Sequence, residues 1–251
     1  MKSSCRIPSA LPSFLARAGE GLLSLFYPPH CAVCRRDTPA GQHLCPACAA
    51  EAAQVTAPFC QRCSQPFSGD ITGSFTCSNC DGRTFHFTCA VARYRGTGVV
   101  KEFIHRFKYQ GHFYLRHQLA DWMQEGLADE RLHSPAPEAL VPVPLHPARR
   151  REREFNQAEV LARLLGERTG IAMSDSLARI RYTTTQTRLN REQRMENLRG
   201  AFVVRQSRPV TARHLLLIDD VLTTGSTVEE CSRVLLEAGA ASVRVLTAAR
   251  A

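Results

Sequence analysis

Two groups of side chains in this 251-residue chain have types and spacings that could do chemistry. The first is Leu215-Leu-Leu-Ile-Asp219-Asp220-Val-Leu-Thr223-Thr224-Gly225-Ser226-Thr227. A buried aliphatic run here delivers two carboxylates to the C-terminal end of a strand, where α/β folds bind ligands. Gly225 lets the backbone approach an anion closely, and Thr223, Thr224, Ser226 and Thr227 add hydroxyl donors. The amides of the helix that follows point back at the loop and complete an anion cradle. Carboxylates beside such a cradle suit a ligand that carries ribose hydroxyls or a metal ion as well as phosphate. A Walker-B pair followed by a capping loop is the plainer alternative. A P-loop needs G-x-x-x-x-G-K-[S/T], and none of the three lysines follows a glycine. No G-x-G-x-x-G or G-x-S-x-G occurs either.

The second group is eight of the eleven cysteines, arranged as four Cys-x-x-Cys pairs: Cys31/Cys34, Cys45/Cys48, Cys60/Cys63 and Cys77/Cys80. One such knuckle turns two thiolates toward one tetrahedral ion, and two knuckles complete an S4 site for structural zinc. An iron–sulfur cluster also takes four thiolates, though its common spacings are tighter. A thioredoxin-type redox pair needs only one Cys-x-x-Cys near a βαβ unit, so four in tandem argue against it. Consecutive pairing (31, 34, 45, 48 and 60, 63, 77, 80) is the simplest arrangement, and an interleaved one stays open. Cys5, Cys89 and Cys231 fall outside the pattern and read as ordinary thiols.

These residues need elements to hold them. Residues 28–89 are rich in proline and glycine and poor in large aliphatics, so metal must supply what a core cannot. From residue 90 the pattern changes. Strands are expected over 90–95, 139–144, 214–219 and 242–247, and helices over 98–107, 113–127, 156–168 and 226–238. Strands alternating with helices predict an α/β fold with a parallel sheet. Residues 1–27 carry Leu11, Phe14, Leu15, Leu22, Leu23 and Phe26 in the spacing of an amphipathic helix. Three segments result: 1–27, a zinc-ribbon segment 28–89, and an α/β domain 90–251. No stretch reaches the roughly 18 apolar residues of a membrane span, and the N-terminus lacks a signal-peptide pattern, so a cytoplasmic location is expected.

Composition sharpens this. With 44% hydrophobic and 22% charged residues the chain is neither disordered nor collagen-like. The net charge is +9, and only Lys2, Lys101 and Lys108 of its 32 basic residues are lysines. Arginine forks suit phosphate oxygens. They concentrate in 149–153 and 179–199, where a phosphate ligand and a genomic bias toward arginine both stay open as the reason.

The run Leu217–Thr227 resembles the phosphoribosyl pyrophosphate (PRPP) motif of type I phosphoribosyltransferases. Val141-Pro-Val143-Pro144, Arg153-Glu-Phe-Asn-Gln157 and Gln186, Leu189, Arg194, Asn197 and Phe202 resemble the ComF/GntX family. In that family a double zinc ribbon precedes a transferase-like domain, the order found here. The resemblance implies a type I phosphoribosyltransferase-like parallel sheet flanked by helices, behind a small zinc-ribbon domain. It implies that Asp219 and Asp220 hold the ribose 2′ and 3′ hydroxyls, and that Thr223, Thr224, Gly225, Ser226 and Thr227 hold the 5′-phosphate. Val143 and Pro144 would form the pyrophosphate loop. Arg153, and among the others Arg149, Arg150 and Arg151, would contact pyrophosphate. Residues 183–197 resemble the hood that closes over PRPP, where Arg188, Arg191 and Arg194 would neutralise the leaving group. Lys108-Tyr-Gln-Gly111 also resembles a family element. Glu154 departs from the pattern, standing where glycine is expected.

The implied ligand is PRPP or ribose 5-phosphate with Mg²⁺. Implied partners are a helicase-like protein of the competence machinery and single-stranded DNA. If catalysis occurs, the C1–pyrophosphate bond breaks with oxocarbenium character while arginines and Mg²⁺ stabilise pyrophosphate. An active transferase, a non-catalytic PRPP- or nucleotide-binding module, and a single-stranded-DNA-handling protein all remain open. Nothing in the sequence identifies the acceptor.

Overall fold

The first cysteine knuckle of each set folds locally, and by the same hydrogen bonds in both. In the computed structural model, which describes residues 29–69, 71, 73–182 and 191–251, the amide of Cys31 donates to Arg36 O and that of Arg35 to Cys31 O. Cys60 N donates to Gln65 O and Ser64 N to Cys60 O in the same pattern. The residue after each second cysteine, Arg35 (φ 62°) or Ser64 (φ 54°), takes the left-handed conformation that reverses the chain around the two sulfurs. The helix expected over 1–27, Cys5, and positions 183–190 of the expected hood lie outside the described residues.

The chain divides into two compact units, Met1–Ala50 and Glu51–Ala251. The described part of the first is the knuckle at Cys31, a loop, and the second knuckle at Cys45 leading into helix α1 (Pro46–Glu51). The second unit carries the remaining four cysteines together with the whole α/β region. The division between compact units thus falls between the two cysteine sets.

In the second unit the elements run β1 (Ala90–Arg95), α2 (Gly98–Tyr109), α3 (Arg116–Leu127), β2 (Ala139–Pro142), α4 (Pro147–Arg153), α5 (Gln157–Thr169), β3 (Leu177–Arg179), α6 (Arg191–Leu198), β4 (Phe202–Val204), β5 (His214–Leu222), α7 (Ser226–Glu237) and β6 (Ser242–Arg250). The main sheet has the order β1-β6-β5-β2, and every neighbouring pair is parallel. That is the sheet the alternating pattern predicts. Its strands are aliphatic almost throughout because helices bury both faces. On one face alternate residues Val141, Leu215, Leu217, Val243 and Val245 join Leu235 of α7 and the sulfurs of Cys60, Cys63, Cys77 and Cys80 in a single core. On the other, α3 lies so close that a Cβ on Gly126 would come within 2.9 Å of Leu246 Cδ1.

Strands β5 and β6 run three residues beyond the expected ends, to Leu222 and Arg250. Three features are absent from the sequence-based expectation. The arginine-rich stretch 147–153 is a helix, started by Pro147 and capped by His146 Nδ1, which accepts from Ala148 N at 3.2 Å. Strands β3 and β4 form a short antiparallel pair, and part of the expected hood, 191–198, is helical.

Candidate functional site

Parallel pairing brings the C-terminal ends of β5 and β2 together, and with them the predicted residues. Val143 N donates to Ile218 O at 2.9 Å, so Val143 and Pro144 lie beside the turn into Asp219 and Asp220. Asn156 fixes that loop from below. Its Nδ2 donates to Val143 O at 3.0 Å, while its Oδ1 accepts from Ala158 N at 3.1 Å and caps α5. Sequence reasoning included Asn156 in a motif but gave it no role.

The two carboxylates are not equivalent. Asp220 is only 4% exposed, and Lys108 reaches across from the last turn of α2 to pair with it. Burial alone would raise Asp220, but the ammonium beside it reverses the effect and holds the carboxyl below the usual aspartate range. Burial would likewise lower Lys108, yet Asp220 keeps its ammonium above the usual lysine range. Among the described residues Asp219 has no such partner in direct contact. Burial first, and the neighbouring Asp220 charge second, push its carboxyl up. Asp219 Oδ1 accepts from the Asp220 amide at 2.9 Å. Lys108 was legible as part of a family-like element, and the structure gives it a position: it neutralises one acid of the pair.

Arg153 lies over the Tyr109 ring at 4.7 Å and close enough to Asp220 to help depress it. Arg150 instead pairs with Glu159 at 3.1 Å, and Arg149 meets Glu152 at 3.4 Å. Glu154 takes φ 67°, so the left-handed turn that glycine would adopt freely is kept despite the substitution. A cleft of about 400 Å³ is lined by Lys108, Tyr109, Arg149, Arg153 and Phe155 beside these acids. Arg188 and the side chains of Arg191 and Arg194 lie outside the described residues. Arg179 on β3, not singled out beforehand, is half-buried and near enough to Asp219 to interact with its charge.

The loop after β5 turns at Gly225, with φ 80° and ψ −2°, directly into the first turn of α7. Ser226 is buried, and its hydroxyl lies 3.0 Å from Thr224 Oγ1, which also accepts from Ser226 N at 3.4 Å. The carbonyls on the far side are held by Arg250 at the end of β6, whose Nη1 donates to Leu222 O at 3.1 Å and Thr223 O at 2.7 Å. With its carbonyls drawn away, the loop presents hydroxyls and the helix N-terminus to an anion. A strand arginine gives no sequence signal for such a role.

The eight cysteines gather as the consecutive sets 31, 34, 45, 48 and 60, 63, 77, 80, and within each set the sulfurs lie within 4.8 Å of one another. The interleaved alternative is thereby excluded. Cys34 and Cys45 sulfurs are 3.5 Å apart, and those of Cys63 and Cys77 3.7 Å. A tetrahedron with a Zn–S bond of about 2.3 Å has edges of about 3.8 Å. The sets therefore fit one zinc ion each, whereas a cluster with bridging sulfides needs its thiolates farther apart. Cys89 and Cys231 are buried, and burial raises both thiols.

Comparison with known proteins points the same way. Residues 22–82 match the double zinc ribbon domain family, and residues 156–251 match the phosphoribosyl transferase domain family. The chain is similar to DNA utilization protein YhgH of Salmonella typhi, 34% identical over 218 residues that cover 86% of this chain and 87% of that one. It is 36% identical over 152 residues to competence protein F of Haemophilus influenzae, covering 59% of this chain and 66% of the relative. Competence protein ComFC of Streptococcus pneumoniae is 29% identical over 206 residues, 76% of this chain and 87% of that protein.

Proposed function

Starting from a chain that belongs to the ComF family of competence and DNA utilization proteins, we propose that its α/β unit binds PRPP or ribose 5-phosphate together with Mg²⁺. One observation carries this reading. Asp219 and Asp220 sit at the end of β5, and the Gly225 turn and the N-terminus of α7 follow within a few residues. An acidic pair for ribose hydroxyls or metal and an amide cradle for the 5′-phosphate thus follow one another on a single strand–loop–helix.

The donor set fits a divalent cation. The surroundings of Asp219 disfavour its ionised form, and a bound cation would favour it. Mg²⁺ would supply charge neutralisation for pyrophosphate. The chain's own part is to orient the ribose through Asp219 and Asp220, to hold the phosphate on Thr223–Thr227, and to meet pyrophosphate with Arg153 from beyond Val143 and Pro144. In a transferase this favours departure of pyrophosphate from C1. In a non-catalytic module the same contacts simply retain the ligand.

Calorimetry with ribose 5-phosphate, then PRPP and Mg²⁺, tests the reading. Binding is expected, and Asp219→Asn should abolish it with both zinc ions retained. Equal affinity in wild type and variant would refute it. Pyrophosphate release with a panel of acceptors separates transferase from binding module.

A second observation favours a role in handling single-stranded DNA. Tyr109 (61% exposed), Phe113 and Tyr114 are solvent-facing aromatics, with Arg153 over Tyr109 and Arg116 over Phe113 at 4.2 Å. Exposed rings interleaved with guanidinium groups are a stacking surface for unpaired bases. Labelled oligonucleotide should bind with salt-dependent affinity, and Tyr109→Ala with Phe113→Ala should weaken it; absence of binding at low salt removes this role. A helicase-like competence protein as partner and a cytoplasmic location belong to the same proposal. Among the described residues no helix is long and apolar enough to cross a membrane.

A further inference from the structure

The second cysteine set does more than staple a ribbon. We infer that the zinc ribbon at Cys60, Cys63, Cys77 and Cys80 is a brace of the phosphate loop, so that its metal sets the conformation of residues 223–228. This rests on the reading of that loop as the 5′-phosphate site.

Three contacts support it. First, the ribbon's exit segment is pinned to the first turn of α7. His86 N donates to Glu229 Oε2 at 3.0 Å, and His86 Nδ1 lies 2.6 Å from Glu229 Oε1. Glu229 is mostly buried, with 13% of its side chain exposed, and its own amide bonds Gly225 O at 2.9 Å. One residue thus ties the ribbon to the turn that shapes the cradle. Second, the segment is itself held by the cysteine knuckle. Arg62, between Cys60 and Cys63, donates to Phe87 O at 3.2 Å and Thr88 O at 2.5 Å, while Thr88 N donates to Val243 O at 2.9 Å on β6. Third, a cavity of about 280 Å³ separates ribbon from loop, with Phe85 and Phe87 on one side and Thr223, Thr224, Gly225 and Arg250 on the other. Around it, Phe87 and the four cysteines share one apolar core with Leu222 and Val228, which flank the loop. Knuckles of this kind do not hold together without metal. Loss of zinc at this set frees Arg62, then Phe87 and His86, and leaves the first turn of α7 with an unpaired buried carboxylate. The first set belongs to the other compact unit.

Amide hydrogen exchange on the full-length, zinc-loaded chain reads the loop directly, whether or not a ligand is found. Glu229→Ala keeps all eight cysteines and should retain both zinc ions, yet amides 223–228 should exchange at least about fivefold faster. His86→Ala, altered on the ribbon side only, loses the ring contact and keeps the backbone donor, so it should move the same amides in the same direction by a smaller factor. Cys77→Ser should do so more strongly, whereas Cys34→Ser should leave them unchanged. Acceleration in Glu229→Ala with none in His86→Ala means the acid acts within its own helix, and the inference falls. Equal acceleration by Cys34→Ser and Cys77→Ser also overturns it. Should Cys77→Ser fail to fold, the Glu229 and His86 variants decide. Ribose 5-phosphate affinity is the second readout, expected to weaken about tenfold in Glu229→Ala. If wild type binds no ribose 5-phosphate, the functional reading fails, and the exchange result still decides the brace.

Discussion

Asp219 keeps its proton far above the ordinary aspartate range, because burial and the neighbouring Asp220 charge disfavour its anion, and the cost can be measured. Its folded value lies above its unfolded one. The stability linked to its proton is therefore complete below the ordinary aspartate range and is lost as pH rises through the raised value. Asp220 runs oppositely: its depressed value contributes stability above the ordinary range, lost as pH falls through the depressed one. Asp219→Asn removes only the first effect. The variant should melt higher than wild type at neutral pH, by about 2–4 °C for each kcal/mol relieved, with the gap closing in acid. A melting series across pH checks the sign, and an unchanged gap would refute it. Glu154 is a second local cost. A side chain at φ 67° is disfavoured by about 1–2 kcal/mol, partly offset by glycine's greater freedom when unfolded. Glu154→Gly should gain about 0.5–1 kcal/mol in urea unfolding without altering ligand affinity. Both acids were legible from their place at the end of an aliphatic run. The Lys108–Asp220 pair was not, because only the sheet brings α2 and β5 together.

Elements differ in how plainly their residues announce them. Strands β2, β5 and β6 and helices α5 and α7 carry unbroken aliphatic runs or regular apolar stripes, and their expected limits hold within a few residues. The antiparallel pair β3–β4 has only three residues per strand, and helices α4 and α6 are short and rich in charge, so none has a periodic face to read. Tertiary anchors hold such pieces: Gly200 N, just after α6, donates to Glu230 Oε1 on α7 at 2.7 Å. Asn156 joins two elements with one amide. Asn156→Ala should cost about 2–3 kcal/mol, the sum of a lost cap and a buried Val143 carbonyl left without its donor. Asn156→Asp restores the cap but not that donor, so its urea midpoint should fall between the two. If Asp proves no better than Ala, the cap contributes little and the stability lies in the Val143 tether.

The molecule's two zinc sets sit in unlike settings despite matching knuckles. The set at Cys31–Cys48 belongs to the smaller compact unit, while Cys60–Cys80 share a core with the sheet. Cys34→Ser should therefore leave the main thermal transition unmoved and abolish only a small, chelator-sensitive one. Cys77→Ser should lower the main transition, because the cavity and the freed knuckle fall inside the principal core. Indistinguishable melts would show that the sets are equivalent after all. Composition makes the ribbons look like one module ending near residue 89, since their proline- and glycine-rich character runs to that point. What composition cannot display is that Thr88, Phe87 and His86 are fastened to β6 and α7. The seam therefore has a consequence for lineage and recombination. A crossover between relatives just after α1 keeps that helix and the Cys31–Cys48 set from one parent and should yield soluble chimeras. One at residue 89 mates a ribbon from one parent with a sheet face shaped for another, and such hybrids should be recovered rarely.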